Sequence, residues 1–141
     1  EWSSSLLMPG AVGWDWIGIS LLDGGSVMAF RIRDQAGKVL FSEWDRRDQT
    51  GRILEHHSNA VWESVGQWSS ARSLANYPSG FLIRVGNQEF QLKTLMQDQE
   101  VDARASTGGF YYEGAIEMSQ NQVVIGRGYL ELTGYSQAVR L

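Results

Sequence analysis

The sequence predicts an all-β fold, an antiparallel barrel or sandwich, on three observations. No segment sustains an apolar period near 3.6 residues, whereas short stretches of two-residue alternation recur between Gly-, Asn- and Asp-containing turns. Sixteen glycines against two prolines point to many tight turns and not to a flexible linker. Six Trp, five Tyr and five Phe favour a barrel whose interior is lined by large side chains.

The first three elements read as a meander. Trp14 to Leu22 is an apolar run, Asp23-Gly24-Gly25 turns the chain, and Ser26 to Arg33 sets Met28, Phe30 and Ile32 against Val27, Ala29, Arg31 and Arg33. Gln35-Ala36-Gly37-Lys38 then leads into a strand over Val39 to Trp44. Asp45 to Asn59 reads as a long polar loop with a short strand at Ile53-Leu54. Ala60 to Trp68 holds one strand or two, Ser69 to Asn76 is polar and irregular, and Tyr77-Pro78-Ser79-Gly80 is a turn. Phe81 to Val85 and Glu89 to Met96 form a hairpin across Gly86-Asn87. The polar segment Gln97 to Ala105 reads as a loop, followed by a strand at Phe110 to Met118, a turn at Ser119 to Gln122, and a short strand at Val123 to Ile125. A further strand, Tyr129 to Tyr135, places Leu130 and Leu132 on one face and Tyr129, Glu131, Thr133 and Tyr135 on the other.

Bulk properties exclude several classes. A chain of 141 residues is one ordinary domain, and no apolar run approaches the length of a membrane-spanning helix. A net charge of −4, with Lys38 and Lys93 the only lysines, leaves no basic stripe for nucleic acid. Absence of cysteine removes disulfides and thiol chemistry. His56-His57 is a neighbouring pair that cannot put both rings on one strand face, so no metal site is expected. The acidic run Asp98-Gln99-Glu100 with Asp102 reads as a solvated loop, since no Asp-x-Asp-x-Asp-Gly pattern accompanies it. Glu1-Trp2 opens the chain with neither an initiator Met nor a signal-like segment, which reads as a fragment.

Three constellations are candidates for chemistry. In Gly13-Trp14-Asp15-Trp16 the indoles share one strand face and Asp15 takes the other; the tryptophans either plug a barrel end or wall an apolar pocket, with Asp15 facing a neighbouring domain. Arg31 shares a face with Val27 and Ala29 and needs a carboxylate there, for which Glu131 and Glu113 are the candidates. These carboxyls are either interior ion-pair partners or acids made competent by burial. In Tyr111-Tyr112-Glu113-Gly114, Tyr111 and Glu113 share a face opposite Tyr112, and Gly114 admits a close neighbour.

The order of motifs then becomes informative. GWDW (13–16), LLDGGSVMAFRIRDQAGKVL (21–40), QWSSARSLANYPSGFLIRV (67–85), LMQDQE (95–100), FYYEGAIEM (110–118) and GRGYLELTGY (126–135) resemble the AttH/CrtC family of lipocalin-like predicted secreted hydrolases and carotenoid 1,2-hydratases. The resemblance implies a calycin (lipocalin- or streptavidin-like) β-barrel. It implies further that this chain is the C-terminal half of a tandem pair, with residues 1–12 as linker, an N-terminal barrel as partner, and last strands that exchange between barrels. It implies a hydrophobic, isoprenoid-like small-molecule substrate hydrated without a cofactor, and a periplasmic or secreted location. In such chemistry a neutral carboxylic acid protonates the alkene, aromatic faces and a carboxylate stabilise the cation, and water adds. The residues that match are Asp15, Glu131 and Glu113 as carboxyls, and Trp14, Trp16, Tyr112, Tyr129 and Arg31 as the ligand-binding lining. The same lining also suits a carrier without turnover, or a half-barrel that docks a partner domain.

Overall fold

The computed structural model describes residues 8–106 and 108–139; the Glu1-Trp2 opening lies outside them. The meander is β1 (Ala11–Leu21), β2 (Ser26–Asp34) and β3 (Val39–Arg47). It is followed by β4 (Ile53–His57), β5 (Val61–Ser64), β6 (Trp68–Ser69) and β7 (Asn76–Tyr77). The chain continues through β8 (Gly80–Val85), β9 (Gln88–Thr94), β10 (Glu100–Ala103), β11 (Gly109–Gln120) and β12 (Val123–Leu132). All described pairings are antiparallel, and no described residue is helical.

The main sheet runs β4-β3-β2-β1-β12-β11-β9-β8-β5, with β10 also on β11, while β6 and β7 form a separate pair. Its two ends, β4 and β5, are not laddered to each other, so the backbone path is open and not a closed barrel. Side chains bring the ends together. Ser42 Oγ on β3 donates to the Ala60 carbonyl beside β5 at 3.0 Å, Gln88 Nε2 on β9 reaches Glu55 Oε2 on β4 at 3.1 Å, and Trp44 on β3 stacks on Phe90 of β9 at 4.9 Å. Contacts between strands this far apart in the path require a sheet curled about one core. That core holds Ile17, Ile19, Val27, Trp44, Phe81, Ile83, Phe90, Ile116, Met118 and Leu130. It is filled by side chains, as the aromatic load predicts.

Several expectations are corrected. β3 and β4 consume most of the predicted 45–59 loop, and β10 forms inside the predicted 97–105 loop. β12 is one continuous strand where two short ones were expected, because the turn before it is confined to Asn121 and Gln122, both at positive φ as a tight hairpin requires. It lies between β1 and β11. Its predicted alternation holds through Leu132 and then reverses. Beyond the strand end Thr133 turns inward, donating to and accepting from the Trp14 backbone, and Tyr135 packs on Tyr77.

β11 is longer than either neighbour on one side, so β9 pairs with its second half and β10 with its first. Gln99 fills the break. Its side-chain amide accepts from Ala115 N at 2.7 Å and donates to Ala115 O at 3.2 Å, acting as a substitute strand residue. Gly114 makes this possible, since a Cβ there would lie about 2.1 Å from the Gln99 amide carbon.

Candidate functional site

The predicted site residues separate onto two faces of one sheet. In β1 the odd positions Asp15, Ile17, Ile19 and Leu21 point inward, while Trp14 and Trp16 lie on the outer face. Asp15 therefore does not face a neighbouring domain, and the tryptophans neither plug nor wall the interior. Asp15 is fully buried. Its carboxylate meets Arg31 Nε at 2.5 Å, Arg33 Nη2 at 3.0 Å and the Tyr135 hydroxyl at 3.1 Å. Asp15, and neither Glu131 nor Glu113, is thus the partner of Arg31, as the register Asp15↔Arg31 between β1 and β2 requires. Arg31 also donates to the Trp62 carbonyl and lies over the Trp62 and Phe81 rings at 5.2 Å. Every contact to Asp15 comes from a donor, which makes it the anchor of an interior ion cluster. Burial and then the Asp15 charge push the Tyr135 phenol well above its ordinary range.

The outer face collects the other carboxyls. Cross-strand register aligns Phe30, Trp16, Glu131 and Glu113 in one row over β2, β1, β12 and β11. Glu113 and Glu131 are direct opposites, an arrangement that like charges disfavour without intervening donors. Donors are present. Trp14 Nε1 donates to Glu131 Oε1 at 2.8 Å, and the Tyr111 hydroxyl interacts with Glu113. That hydrogen bond, then burial and the charges of Glu113 and Glu131, raise the Tyr111 phenol to about 12. The Trp16 ring reaches Gly18, where any Cβ would meet it at 2.6 Å. Beside it, Trp16, Gly18, Ser20, Met28 and Asp45 line a shallow cleft of about 250 Å³. Tyr129, opposite Gly18, is 45 % exposed.

Tyr112 belongs to neither constellation. It is buried among Tyr77 and Trp68, its hydroxyl donating to the Met96 carbonyl. Arg33, Thr133 and Tyr135 complete the interior cluster; the sequence groups Thr133 and Tyr135 with Tyr129 and Glu131 on one strand face and does not connect them to Asp15. The signal for Arg33 was its phase, two residues on from Arg31. Glu100, expected in a solvated loop, is instead buried on β10, where it accepts from Ser70, Ser73 and Arg72. The Tyr77 hydroxyl is buried beside Glu100, Ser73 and Ser136 without reaching hydrogen-bonding geometry with any of them. Among the described residues, no group of three or more His, Cys, Asp or Glu is placed to hold a metal ion.

A model of AttH-like proteins matches residues 1–135. The chain belongs to the AttH-like family. A solved candidate AttH from Nitrosomonas europaea shares 40% identity with it over 99% of this chain and 42% of its own, with a TM-score of 0.89. Kievitone hydratase from Nectria haematococca, at 18% identity, covers 96% of this AttH-like chain and 42% of its own, with a TM-score of 0.73, and so shares the fold. The chain thus spans less than half the length of both solved neighbours. No curated protein matches it significantly. No described helix is long and apolar enough to cross a membrane.

Proposed function

We propose that this AttH-like chain takes part in acid-assisted addition of water to an apolar, isoprenoid-like double bond, with Glu113 and Glu131 on the outer face as the working carboxyls. The observation that carries the reading is their direct opposition on β11 and β12, flanked by the indole N–H of Trp14 and the phenol of Tyr111. Hydration needs an acid that protonates one alkene carbon and a base that takes a proton from the incoming water. One carboxyl would give its proton to the alkene while the other takes a proton from the water, so the pair keeps its proton count with its two members exchanged. Trp14, Trp16 and Tyr129 offer aromatic faces to the intermediate cation. Membership of the family and the shared fold of a neighbour that is a hydratase support this assignment. In the same proposal the N-terminal barrel expected from the resemblance covers this face, keeping it dry enough for the cation to survive. The carrier alternative places its ligand inside the curled sheet, where the packed aromatics leave it less support. Asp15, enclosed by donors, is assigned a structural role.

Incubation with isoprenoid alkenes in ¹⁸O-water tests the reading. Label in a tertiary alcohol product, abolished in Glu113→Gln and Glu131→Gln, is expected. Full turnover in both variants would remove the glutamates from the chemistry.

A further inference from the structure

Two motifs that the proposed function uses only in part, Gly13-Trp14 and Glu131-Leu132-Thr133-Gly134, meet where β1 begins and β12 ends. The register that pairs Asp15 with Leu132 brings Trp14 opposite Thr133. Thr133 N donates to the Trp14 carbonyl at 2.9 Å, as in a regular ladder. The return bond is irregular. Arg33 Nη2 donates to the Thr133 carbonyl at 2.6 Å, and the Trp14 N–H donates instead to Thr133 Oγ1 at 2.9 Å. That hydroxyl also donates to the Trp14 carbonyl at 3.3 Å. The Thr133 side chain thus replaces its own carbonyl in the ladder and holds both backbone polar groups of Trp14.

The approach is close because both chain segments lack a side chain beside the contact. A Cβ at Gly13 would lie 2.3 Å from the Thr133 carbonyl oxygen, and one at Gly134, whose φ is +75°, would lie 2.4 Å from the Val12 carbonyl oxygen. Thr133 is buried, so water does not compete for its hydroxyl. Trp14 is half-buried, and its indole Nε1 donates to Glu131 Oε1 at 2.8 Å. An indole has a single donor and no acceptor, so it serves Glu131 only from the position in which the Trp14 backbone is held. A threonine turned into the sheet is thereby linked to a carboxyl on its outer face.

We propose that Thr133 is a positioning residue for Glu131: its hydroxyl fixes the Trp14 backbone, and the Trp14 Nε1–H in turn orients the Glu131 carboxyl. The inference rests on the hydration reading of Glu113 and Glu131 and adds to it a group that touches no substrate. Thr133→Val keeps the side chain's shape and loses the oxygen, which leaves the Trp14 N–H without its acceptor. Thr133→Ser keeps that oxygen.

The test compares Thr133→Val, Thr133→Ser and Trp14→Phe in the whole chain, each checked for folding by its melting curve. Indole ¹⁵N–¹H NMR reads the Trp14 Nε1–H without substrate. Thr133→Val should shift that resonance and speed its hydrogen exchange by about tenfold or more, and Thr133→Ser should do neither. With geranylacetone, an alkene with an isopropylidene end, Thr133→Val should lose about tenfold or more in kcat with KM little changed, and Thr133→Ser should retain turnover. Trp14→Phe keeps an aromatic face but loses the donor; it should lose a similar factor, and Thr133→Val added to it should cost nothing further. Thr133→Ala removes the same oxygen and carries the same expectations where Thr133→Val does not fold. An unmoved indole resonance in folded Thr133→Val, equal losses in Thr133→Ser, or losses at Thr133 and Trp14 that multiply in the double variant would overturn the proposal. A wild-type chain that hydrates no alkene would remove the hydration reading, while the indole resonance still decides whether Thr133 positions Trp14.

Discussion

Asp15 shows how far a single residue's phase can be read. It keeps step with Ile17, Ile19 and Leu21, so the two-residue period alone assigns it to the core. The neighbouring tryptophans obscure this, because indoles are expected inside and here lie outside. Arg31 and Arg33 keep step with Val27 and Ala29 in the same way. Given all three phases, the ion cluster was legible; its closure by Tyr135 was not, because the chain leaves strand geometry after Leu132. Replacing Asp15 by Asn leaves two buried guanidiniums without a counter-charge. The expected cost is about 3–5 kcal/mol, seen in urea unfolding, with the melting temperature falling by about 10 °C or more. At the outer face, Glu113→Gln removes the carboxylate that disfavours the Tyr111 phenolate. Tyr111 should then titrate below about 12, closer to the ordinary tyrosine value near 10, in an ultraviolet absorbance titration.

At the scale of elements, the strands with strong alternation were readable and the polar ones were not. β10 carries Glu100, Asp102 and only Val101 as a branched apolar residue, so its place on β11 comes from pairing partners and not from its own pattern. Gln99 is the hinge of that placement. Gln99→Ala would leave the Ala115 N–H without its acceptor, while the Ala115 carbonyl keeps the Leu95 amide, at an expected cost of about 1–3 kcal/mol and with faster exchange of the Ala115 amide. The β3–β4 pair offers a pH reading. The hydrogen bond to Asp45 at 2.8 Å, and then the Glu43 charge, raise the His56 pKa above its ordinary value. A raised folded-state pKa contributes stability that is full below the unfolded value near 6.5 and is lost as pH rises through the folded value. NMR titration should place the His56 midpoint above 6.5, and Asp45→Asn should lower it.

For the whole molecule, the all-β antiparallel class and the meander follow from periodicity and turn chemistry, whereas the open path does not. Nothing local in β4 or β5 states whether two consecutive short strands pair, and here the ends meet through Ser42, Gln88 and Arg31 instead. How the candidate residues group depends on which face each strand presents. That division gives the account its central claim: Glu113 and Glu131 act on the outer face, while Asp15 holds the fold together from inside. The direct measurement compares turnover and melting temperature in Glu131→Gln and Asp15→Asn, using alkene hydration followed by ¹⁸O incorporation well below either midpoint. The account predicts that Glu131→Gln loses turnover and keeps its melting temperature, whereas Asp15→Asn loses stability and retains turnover while folded. Retained turnover in Glu131→Gln, together with lost turnover in folded Asp15→Asn, would contradict it.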